Sequence, residues 1–378
     1  MNVLIVDNQY TLIDKNFNGF INQSENLFFY IAIIDVPNQI DSVKEKNAKN
    51  RLSQHPHVVD LGVVAFLIDD IKKLVSYYGI KMAFFECYRI VDQYWISILN
   101  MLNVTTVHVQ HGFEINHVYY KTFTLITKFN KGWKILKVLG LLSRSLDKNR
   151  LKMTIDYIRY IYLGTSPSTL SFSDPRTHPK YNLVYSDFYR SFWKSKFGIE
   201  SPTRFFQYPD ISAQKIPDHN SCDVVYIAQT LVEDGRLKKS DFVNYLSMMR
   251  QWLIVNSFNL IIKLHPRSDL TLYSQFRDSE LSYSTVRGSI VVNHYSSLLF
   301  LYGMDSDSKI ILFELPGNPT PPIFEGTYDQ KVRDFREISL EFQPSKGERV
   351  KFCKSMCGVD QPVLYDVLNY VVKEYELE

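Results

Sequence analysis

Residues 82–109 read MAFFECYRIVDQYWISILNMLNVTTVHV, and this stretch predicts the fold of the first half of the chain. Two short apolar runs, 82–85 and 105–109, flank the amphipathic segment 90–102, which has the length of a crossover helix. A strand, a helix and a second strand in this order predict parallel pairing in one sheet. Apolar runs at 3–6 and 28–34 add further strands to that sheet.

The same alternation restarts in the second half of the chain. It predicts a helix at 239–255 and strands at 223–228, 259–264, 289–293 and 309–313. Between the halves, six prolines in residues 163–221 interrupt any long element. A length of 378 residues fits two domains at roughly 100 to 200 residues each. The predicted fold is therefore α/β, with two Rossmann-like domains (1–165 and 222–378), a crossover (166–221) and a central cleft.

Composition excludes several classes of protein. Lys and Arg number 43 against 40 Asp and Glu, a net charge of +3 that is too balanced for a nucleic-acid partner. Hydrophobic residues at 45% exclude intrinsic disorder, and 14% aromatic residues predict an aromatic binding surface. The four scattered cysteines predict a reduced cytoplasmic protein without a metal site. The N-terminus reads as a buried strand rather than a signal peptide, and no apolar run approaches the ~18 residues of a membrane span.

Candidate site residues cluster after predicted strands, where doubly wound folds bind ligands. Gln110, His111 and Gly112 follow the strand at 105–109, and they read equally well as a ligand-binding turn or as a surface turn. Glu233, Asp234 and Gly235 follow the strand at 223–228. A carboxylate of this group can serve as general base if its like-charged neighbour raises its pKa, although acidic residues before Gly also form ordinary solvated turns.

Cations and hydroxyls follow the next strands. Lys263, His265, Pro266 and Arg267 come at the end of the strand 259–264, where cations and an imidazole suit a departing phosphate. Ser296 and Ser297 precede the apolar segment 298–304; they read either as a simple helix N-cap or as hydroxyls that leave helix amides free for an anion. After the strand 309–313, Glu314 and Gly317 shape either the cleft or a rigid turn.

Positive charge is concentrated in residues 128–152, which carry eight Lys and Arg against one Asp, interleaved with apolar residues and Trp133. Two readings remain open: a helix lying on an anionic membrane, or a core-facing helix with a solvated basic side. The first predicts a protein peripheral to the inner face of the cytoplasmic membrane.

The order of these motifs resembles bacterial sialyltransferases and polysialyltransferases of the GT-B fold, and looks most like the lipooligosaccharide sialyltransferases. The match consists of Glu233-Asp234-Gly235, His265-Pro266 and Ser296-Ser297, and covers mainly residues 222–320. The resemblance implies an inverting, metal-independent transfer of a nonulosonic acid, such as sialic acid, from a CMP donor to a glycan or lipid-linked glycan, without a cofactor. It implies that Glu233 is the general base, that Asp234 and Gly235 shape its loop, that His265 stabilises the leaving CMP phosphate and that Ser296 and Ser297 bind it. The first domain then takes the acceptor and the second the nucleotide sugar.

Four alternatives remain from the sequence. A CDP-polyol phosphotransferase and a Kdo transferase share the same phosphate chemistry, and a nucleotide-sugar epimerase shares the bilobed architecture. The fourth is a non-catalytic scaffold of envelope assembly, which does not need Glu233 for its function.

Overall fold

The computed structural model describes residues 1–34, 43–64, 67–113, 125–163, 174–213, 216–217, 219, 221–316, 320–341 and 347–377, with the backbone alone at 125–131, 161–163 and 212–213. The chain divides into two compact units. The N-terminal unit comprises Met1–His111, Ile126–Pro209 and Gln361–Glu378, and the C-terminal unit comprises Gly112–Leu125 and Asp210–Asp360.

The N-terminal unit is built on a parallel sheet. Its strands are β1 (Asn2–Asp7), β2 (Phe28–Ile33), β3 (Val58–Val63), β4 (Met82–Phe85), β5 (Thr105–Val109), β6 (Tyr181–Val184) and β7 (Thr203–Phe205). Its helices are α1 (Tyr10–Gln23), α2 (Val43–Ser53), α3 (Ile68–Tyr78), α4 (Ile90–Met101), α5 (Leu125–Ser145), α6 (Arg150–Leu163) and α7 (Asp187–Phe197). The strand order is β3-β2-β1-β4-β5-β6-β7. β1 and β4 are almost wholly buried, as expected for central strands covered by helices on both faces.

The C-terminal unit repeats this plan with a second parallel sheet. Its strands are β8 (Cys222–Ile227), β9 (Leu260–Lys263), β10 (Leu281–Ser282), β11 (Gly288–Asn293), β12 (Lys309–Phe313) and β13 (Gln330–Val332). Its helices are α8 (Asp210–Ala213), α9 (Lys239–Val255), α10 (Leu298–Gly303) and α11 (Glu348–Met356). The strand order is β10-β9-β8-β11-β12-β13. The last helix, α12 (Leu364–Leu377), belongs to the N-terminal unit, where Tyr365 packs against Phe20 of α1.

In both sheets the order in which strands are added reverses at one point. The chain builds outward from β1 through β2 to β3 and then returns to the other side of β1 with β4; β8 and β11 stand in the same relation. The carboxyl ends of the two strands that flank such a reversal are where doubly wound folds bind ligands. The residues that follow β8 and β11, and those that follow β1 and β4, are therefore candidates for ligand binding.

The structure confirms the α/β class and the two Rossmann-like sheets, and every strand and helix predicted in the two halves is present. The cleft stays a prediction. Two boundaries differ: residues 181–205 are not a crossover but supply β6, α7 and β7 to the first sheet, and α12 returns to the N-terminal unit. The basic segment 128–152 is not one helix, since α5 ends at Ser145 and α6 begins at Arg150.

Two further findings concern the sequence predictions. All four cysteines are free thiols. None of the helices in the described ranges is both long enough and apolar enough to cross a bilayer.

Candidate functional site

Hydrogen bonds and an ion pair join the loops that follow β8 and β9. The backbone N–H of Asp269 donates to Glu233 Oε1 (2.8 Å), and Arg267 Nη1 lies 3.1 Å from Asp234 Oδ1. β8 and β9 are neighbours in the sheet, so their carboxyl ends emerge side by side. The structure therefore brings the loop of the acidic motif against the loop of the His-Pro motif, through Arg267 and Asp269.

Glu233 is exposed, and a backbone N–H orients its carboxylate. Oε1 accepts the Asp269 N–H, whereas Oε2 has no hydrogen-bond partner among the residues that the structure describes. Gly235 holds this loop with a φ of +67°, a left-handed conformation that costs a side-chain-bearing residue about 1 kcal/mol. A carboxylate with one oxygen fixed and the other open is arranged to accept a proton.

Asp234 has a different role from its neighbour. Its Oδ2 accepts the Thr230 hydroxyl (2.8 Å) and lies 3.4 Å from Arg236 Nη2, while its Oδ1 faces Arg267. Both oxygens are thus engaged with the protein. These contacts join Asp234 to Arg267 and to its own loop, and a catalytic role for Asp234 stays a prediction.

His265 is half-buried after β9, and its ring orientation is set locally. The ring Nδ1 of His265 accepts the backbone N–H of Arg267 (3.1 Å), and the backbone N–H of His265 donates to Ser268 Oγ (3.1 Å). Because Nδ1 is an acceptor, the neutral imidazole carries its proton on Nε2. His265 therefore presents an N–H donor through Nε2. Pro266 is exposed.

Lys263 ends β9 as a buried cation, with only 8% of its surface exposed. In the described part of the chain its Nζ has one partner, the neutral carbonyl of Leu264 (3.1 Å). Burial lowers the pKa of Lys263 below its usual value. A buried ammonium without a carboxylate is costly, and an anion would offset that cost.

The loop after β11 contributes an amide and two hydroxyls. Asn293 is fully buried; its Oδ1 accepts the Ser296 N–H (3.0 Å), but its Nδ2 has no acceptor among the described residues. Ser296 Oγ accepts the Leu298 N–H (3.3 Å). The N–H groups of Ser296 and Leu298 therefore already have acceptors within this loop, and anion binding at this helix start stays a prediction. The Ser297 side chain forms no such cap.

Glu314 follows β12 and is almost buried in an ion-pair cluster. Arg333 Nε donates to its Oε2 (2.7 Å), Lys331 Nζ lies 3.4 Å from Oε1, and the Thr320 N–H donates to Oε1 (3.3 Å). Although burial raises the pKa of Glu314, these partners outweigh burial and lower it. The carboxylate holds its loop. Gly317, predicted beside it, lies outside the described residues.

Gln110, the first residue of the motif after β5, is engaged in hydrogen bonds within the protein. Gln110 is buried; its Oε1 accepts the Tyr185 N–H (3.1 Å) and its carbonyl accepts the Tyr185 hydroxyl (3.0 Å). His111 follows, half-buried, and Gly112 has a φ of +63°. Gln110 therefore fixes the junction between β5 and β6, and its predicted contact with the acceptor stays a prediction.

Three polar residues at these strand ends were not predicted from the sequence. Thr230 joins Asp234 and also contacts Arg267 Nη2 (3.3 Å), Arg236 pairs with Asp234, and Asn293 supplies the buried amide. Asn293 carried a usable signal, because it is the one polar residue at the end of the apolar run 290–293. No sequence pattern indicates Thr230 or Arg236, since their role depends on side-chain contacts that only the folded loops form.

In the C-terminal unit, the loop that carries Glu233 thus contacts the loop that carries His265 and Arg267, and the buried ammonium of Lys263 ends the strand β9 before that second loop. Such a set can remove a proton from a hydroxyl and stabilise negative charge on a phosphate. In the described part of the chain, His, Cys, Asp and Glu nowhere gather in threes suited to a metal ion.

No protein-family model matches the sequence, and neither does any curated protein sequence. Among solved structures, the chain is similar to UDP-GlcNAc 2-epimerase from Methanocaldococcus jannaschii, with 11% identity, a TM-score of 0.48 and coverage of 98% of this chain and 100% of that one. It is also similar to UDP-GlcNAc 2-epimerase from Neisseria meningitidis bound to UDP-GlcNAc (9%, 0.40, 100% and 100%) and to Acinetobacter baumannii MurG (7%, 0.43, 99% and 100%). At these values the likeness goes no further than the type of fold.

Proposed function

We propose that this protein is an inverting glycosyltransferase that moves a nonulosonic acid, such as sialic acid, from a CMP donor to a hydroxyl of a surface glycan, without a metal ion. The observation that carries the proposal is the direct tie between the loop of Glu233 and the loop of His265 and Arg267. This contact between the loops supports a site in which Glu233 accepts a proton and His265 and Arg267 stabilise a leaving phosphate. The resemblance to lipooligosaccharide sialyltransferases supports the choice of donor.

In the proposed reaction the acceptor hydroxyl gives its proton to Glu233 Oε2, and its oxygen attacks the anomeric carbon of the donor. The bond between that carbon and the phosphate oxygen of CMP breaks, and its electron pair stays on the phosphate. The Nε2–H of His265 hydrogen-bonds or protonates the departing oxygen. Lys263 and Arg267 balance the phosphate charge, and Asn293 Nδ2 and the Ser297 hydroxyl supply further donors.

The first experiment is a thermal-shift titration of the full chain with CMP, CDP, UMP, UDP and GDP, because a ligand of the native state raises its apparent stability. A selective shift with CMP is expected. Transfer from CMP-sialic acid to a glycan acceptor is then measured with and without EDTA, and equal rates are expected. Preference for CDP would favour polyol-phosphate transfer, and preference for UDP would favour a hexose transferase or an epimerase.

The chain offers a matched control for His265. His55 is also followed by Pro, is also half-buried, and its Nδ1 also accepts the N–H of the residue two positions on, His57 (3.3 Å). His265→Ala is expected to lower transfer by about 10²- to 10⁴-fold. His55→Ala, in the N-terminal unit, should leave transfer unchanged. If no nucleotide shifts the melting temperature and both variants act alike, the scaffold alternative replaces this proposal.

A further inference from the structure

Helix α6 carries an apolar stripe on the side that faces solvent. Leu151, Ile155 and Ile158 are 69%, 49% and 50% exposed, and their spacing of four and three residues places them on one side of the helix. The opposite side packs inward through Met153, which is fully buried. Packing within the described part of the unit therefore buries the inward side of α6 and leaves the outer stripe exposed.

Helix α5 has the same division. Its inward side packs through Val138, Leu139 and Leu142, all of which are buried. Its outer side carries Trp133, Lys137 and Arg144, which recur at intervals of four and seven residues. Trp133 is 67% exposed, whereas Trp95 and Trp193 are buried.

The helices are adjacent, because Arg150 at the start of α6 lies over Gly140 of α5 and its Nη2 donates to the Leu136 carbonyl (3.5 Å). We call the outward side chains of Trp133, Lys137, Arg144, Leu151, Lys152, Ile155 and Ile158 the outer surface of the helix pair.

The cations of this surface are available to a partner. Lys137, Arg144 and Lys152 are exposed and form no ion pair with any residue that the structure describes. By contrast, Lys148, beyond the surface, pairs with Asp174 (2.7 Å). Unpaired cations beside an exposed apolar stripe and a tryptophan are complementary to anionic phospholipid, which offers both phosphate charge and an apolar layer.

We propose that the outer surface of the helix pair docks the protein on an anionic phospholipid bilayer. Leu151, Ile155 and Ile158 enter the boundary between headgroups and acyl chains, with Trp133 at the same level, and the cations lie among the lipid phosphates. This interaction goes beyond the proposed transfer reaction, and its measurement does not use that reaction, so either proposal can fail alone.

The test is sedimentation of the full chain with phosphatidylcholine vesicles that contain about one-third phosphatidylserine, compared with pure phosphatidylcholine. We expect binding to the anionic vesicles only, decreasing with added salt. Trp133 fluorescence should shift to shorter wavelength on binding, and Trp133→Phe should remove that shift.

Two variants separate the charges from the stripe, each with a matched control. Lys137→Glu/Arg144→Glu/Lys152→Glu should lower vesicle binding by more than about tenfold, whereas Lys72→Glu/Lys73→Glu/Lys351→Glu, at other exposed lysines, should keep most of it. Leu151→Ser/Ile155→Ser/Ile158→Ser should weaken binding at every salt concentration. Ile254→Ser/Val255→Ser removes exposed apolar residues elsewhere and should have no effect.

Three results would overturn the proposal. They are absence of binding to anionic vesicles, equal binding by the two charge-reversal variants, and equal binding by the two serine variants. The mass of the protein in solution, measured by light scattering, detects the other occupant of such a stripe. If the α6 serine variant turns a dimer into a monomer and leaves vesicle binding intact, the stripe is an interface between copies of this chain.

Discussion

The two units share one sheet order but differ in the chemistry at the point where that order reverses. In the N-terminal unit, Asp7 ends β1 and Glu86 follows β4, and both are buried carboxyl groups. Burial raises the pKa of Asp7 to about 6 against the opposing effect of Arg89. Burial and the neighbouring Asp7 also raise the pKa of Glu86. The corresponding reversal in the C-terminal unit carries an amide, Asn293, in place of a carboxyl group.

The helix that follows the first strand shows the same contrast. In the N-terminal unit the Glu45 carboxylate accepts the N–H groups of Tyr10 (2.7 Å) and Thr11 (3.3 Å), so the start of α1 is already occupied by an anion. In the C-terminal unit α9 begins after Lys238 without a side-chain cap. Helix starts favour anions. The comparison teaches that one topology can carry a carboxylate at a helix start in one unit and lack a side-chain cap at the corresponding start in the other.

The largest expected effect sharpens this comparison at Glu233. Glu233→Gln keeps an oxygen for the Asp269 N–H but removes the base, so transfer should fall by about 10²- to 10⁴-fold. The same substitution at Glu86, in the buried carboxyl pair, should leave transfer intact. Rates of CMP release with acceptor present check both variants. Loss of transfer in folded Glu86→Gln would break the comparison, because chemistry would then involve the N-terminal unit.

The next effect concerns the buried ammonium. Lys263→Met should weaken CMP binding by about 10- to 100-fold, since it removes a charged hydrogen-bond donor. Stability should stay the same or rise, because a costly buried charge is lost. Lys309 is equally buried but stands at the amino end of β12, so Lys309→Met serves as control. Calorimetric titration and chemical unfolding measure the two quantities; equal weakening by both variants would remove Lys263 from the site.

A third prediction tests the N-terminal carboxyl pair through pH. A carboxyl whose pKa is raised in the folded protein favours folding while protonated, and this contribution is lost as pH rises through the folded pKa. For Asp7 this loss of stability begins near pH 3.8, its usual pKa, and continues through about pH 6, its pKa in the folded protein. Because the pKa of Glu86 is also raised, Glu86 extends the loss of stability to higher pH. Arg89, Asp92, Cys87 and Lys15 are the charged or titratable neighbours.

Asp7→Asn should therefore be more stable than the native protein at pH 8 by about 2 kcal/mol and nearly equal to it at pH 4. Urea unfolding at a series of pH values measures the difference. Parallel curves for the two proteins would show that Asp7 does not titrate as stated.

The smallest expected effect concerns two glycines with a left-handed backbone, and it separates a loss of stability from a loss of transfer. Gly235 and Gly62 have φ values of +67° and +65°, one in each unit. Alanine at either position should cost about 1 kcal/mol of stability. Only Gly235→Ala should also lower transfer severalfold, because its loop carries Glu233. If Gly62→Ala lowers transfer equally, the loss follows stability and says nothing about the site.

Sequence reasoning succeeded where a signal is local. The strands β4 and β12 and the helix α9 were predicted to the residue, because apolar period and length identify such elements. The His-Pro turn is local as well, since His55 and His265 use Nδ1 in the same way. It did not predict β3, in which Asp60 and Gly62 interrupt the apolar run, or the short strands in 181–205, which lie among prolines.

The sequence by itself determined the α/β class, the two parallel sheets and the position of candidate residues after their strands, because these follow from periodicity along the chain. Only the tertiary structure decided which polar groups are engaged and which are open. It committed Asp234, Gln110 and Glu314 to neighbouring residues, and it left Glu233 Oε2 and Asn293 Nδ2 without partners among the described residues. The physical reason is that hydrogen bonding and burial join loops that lie far apart in the chain.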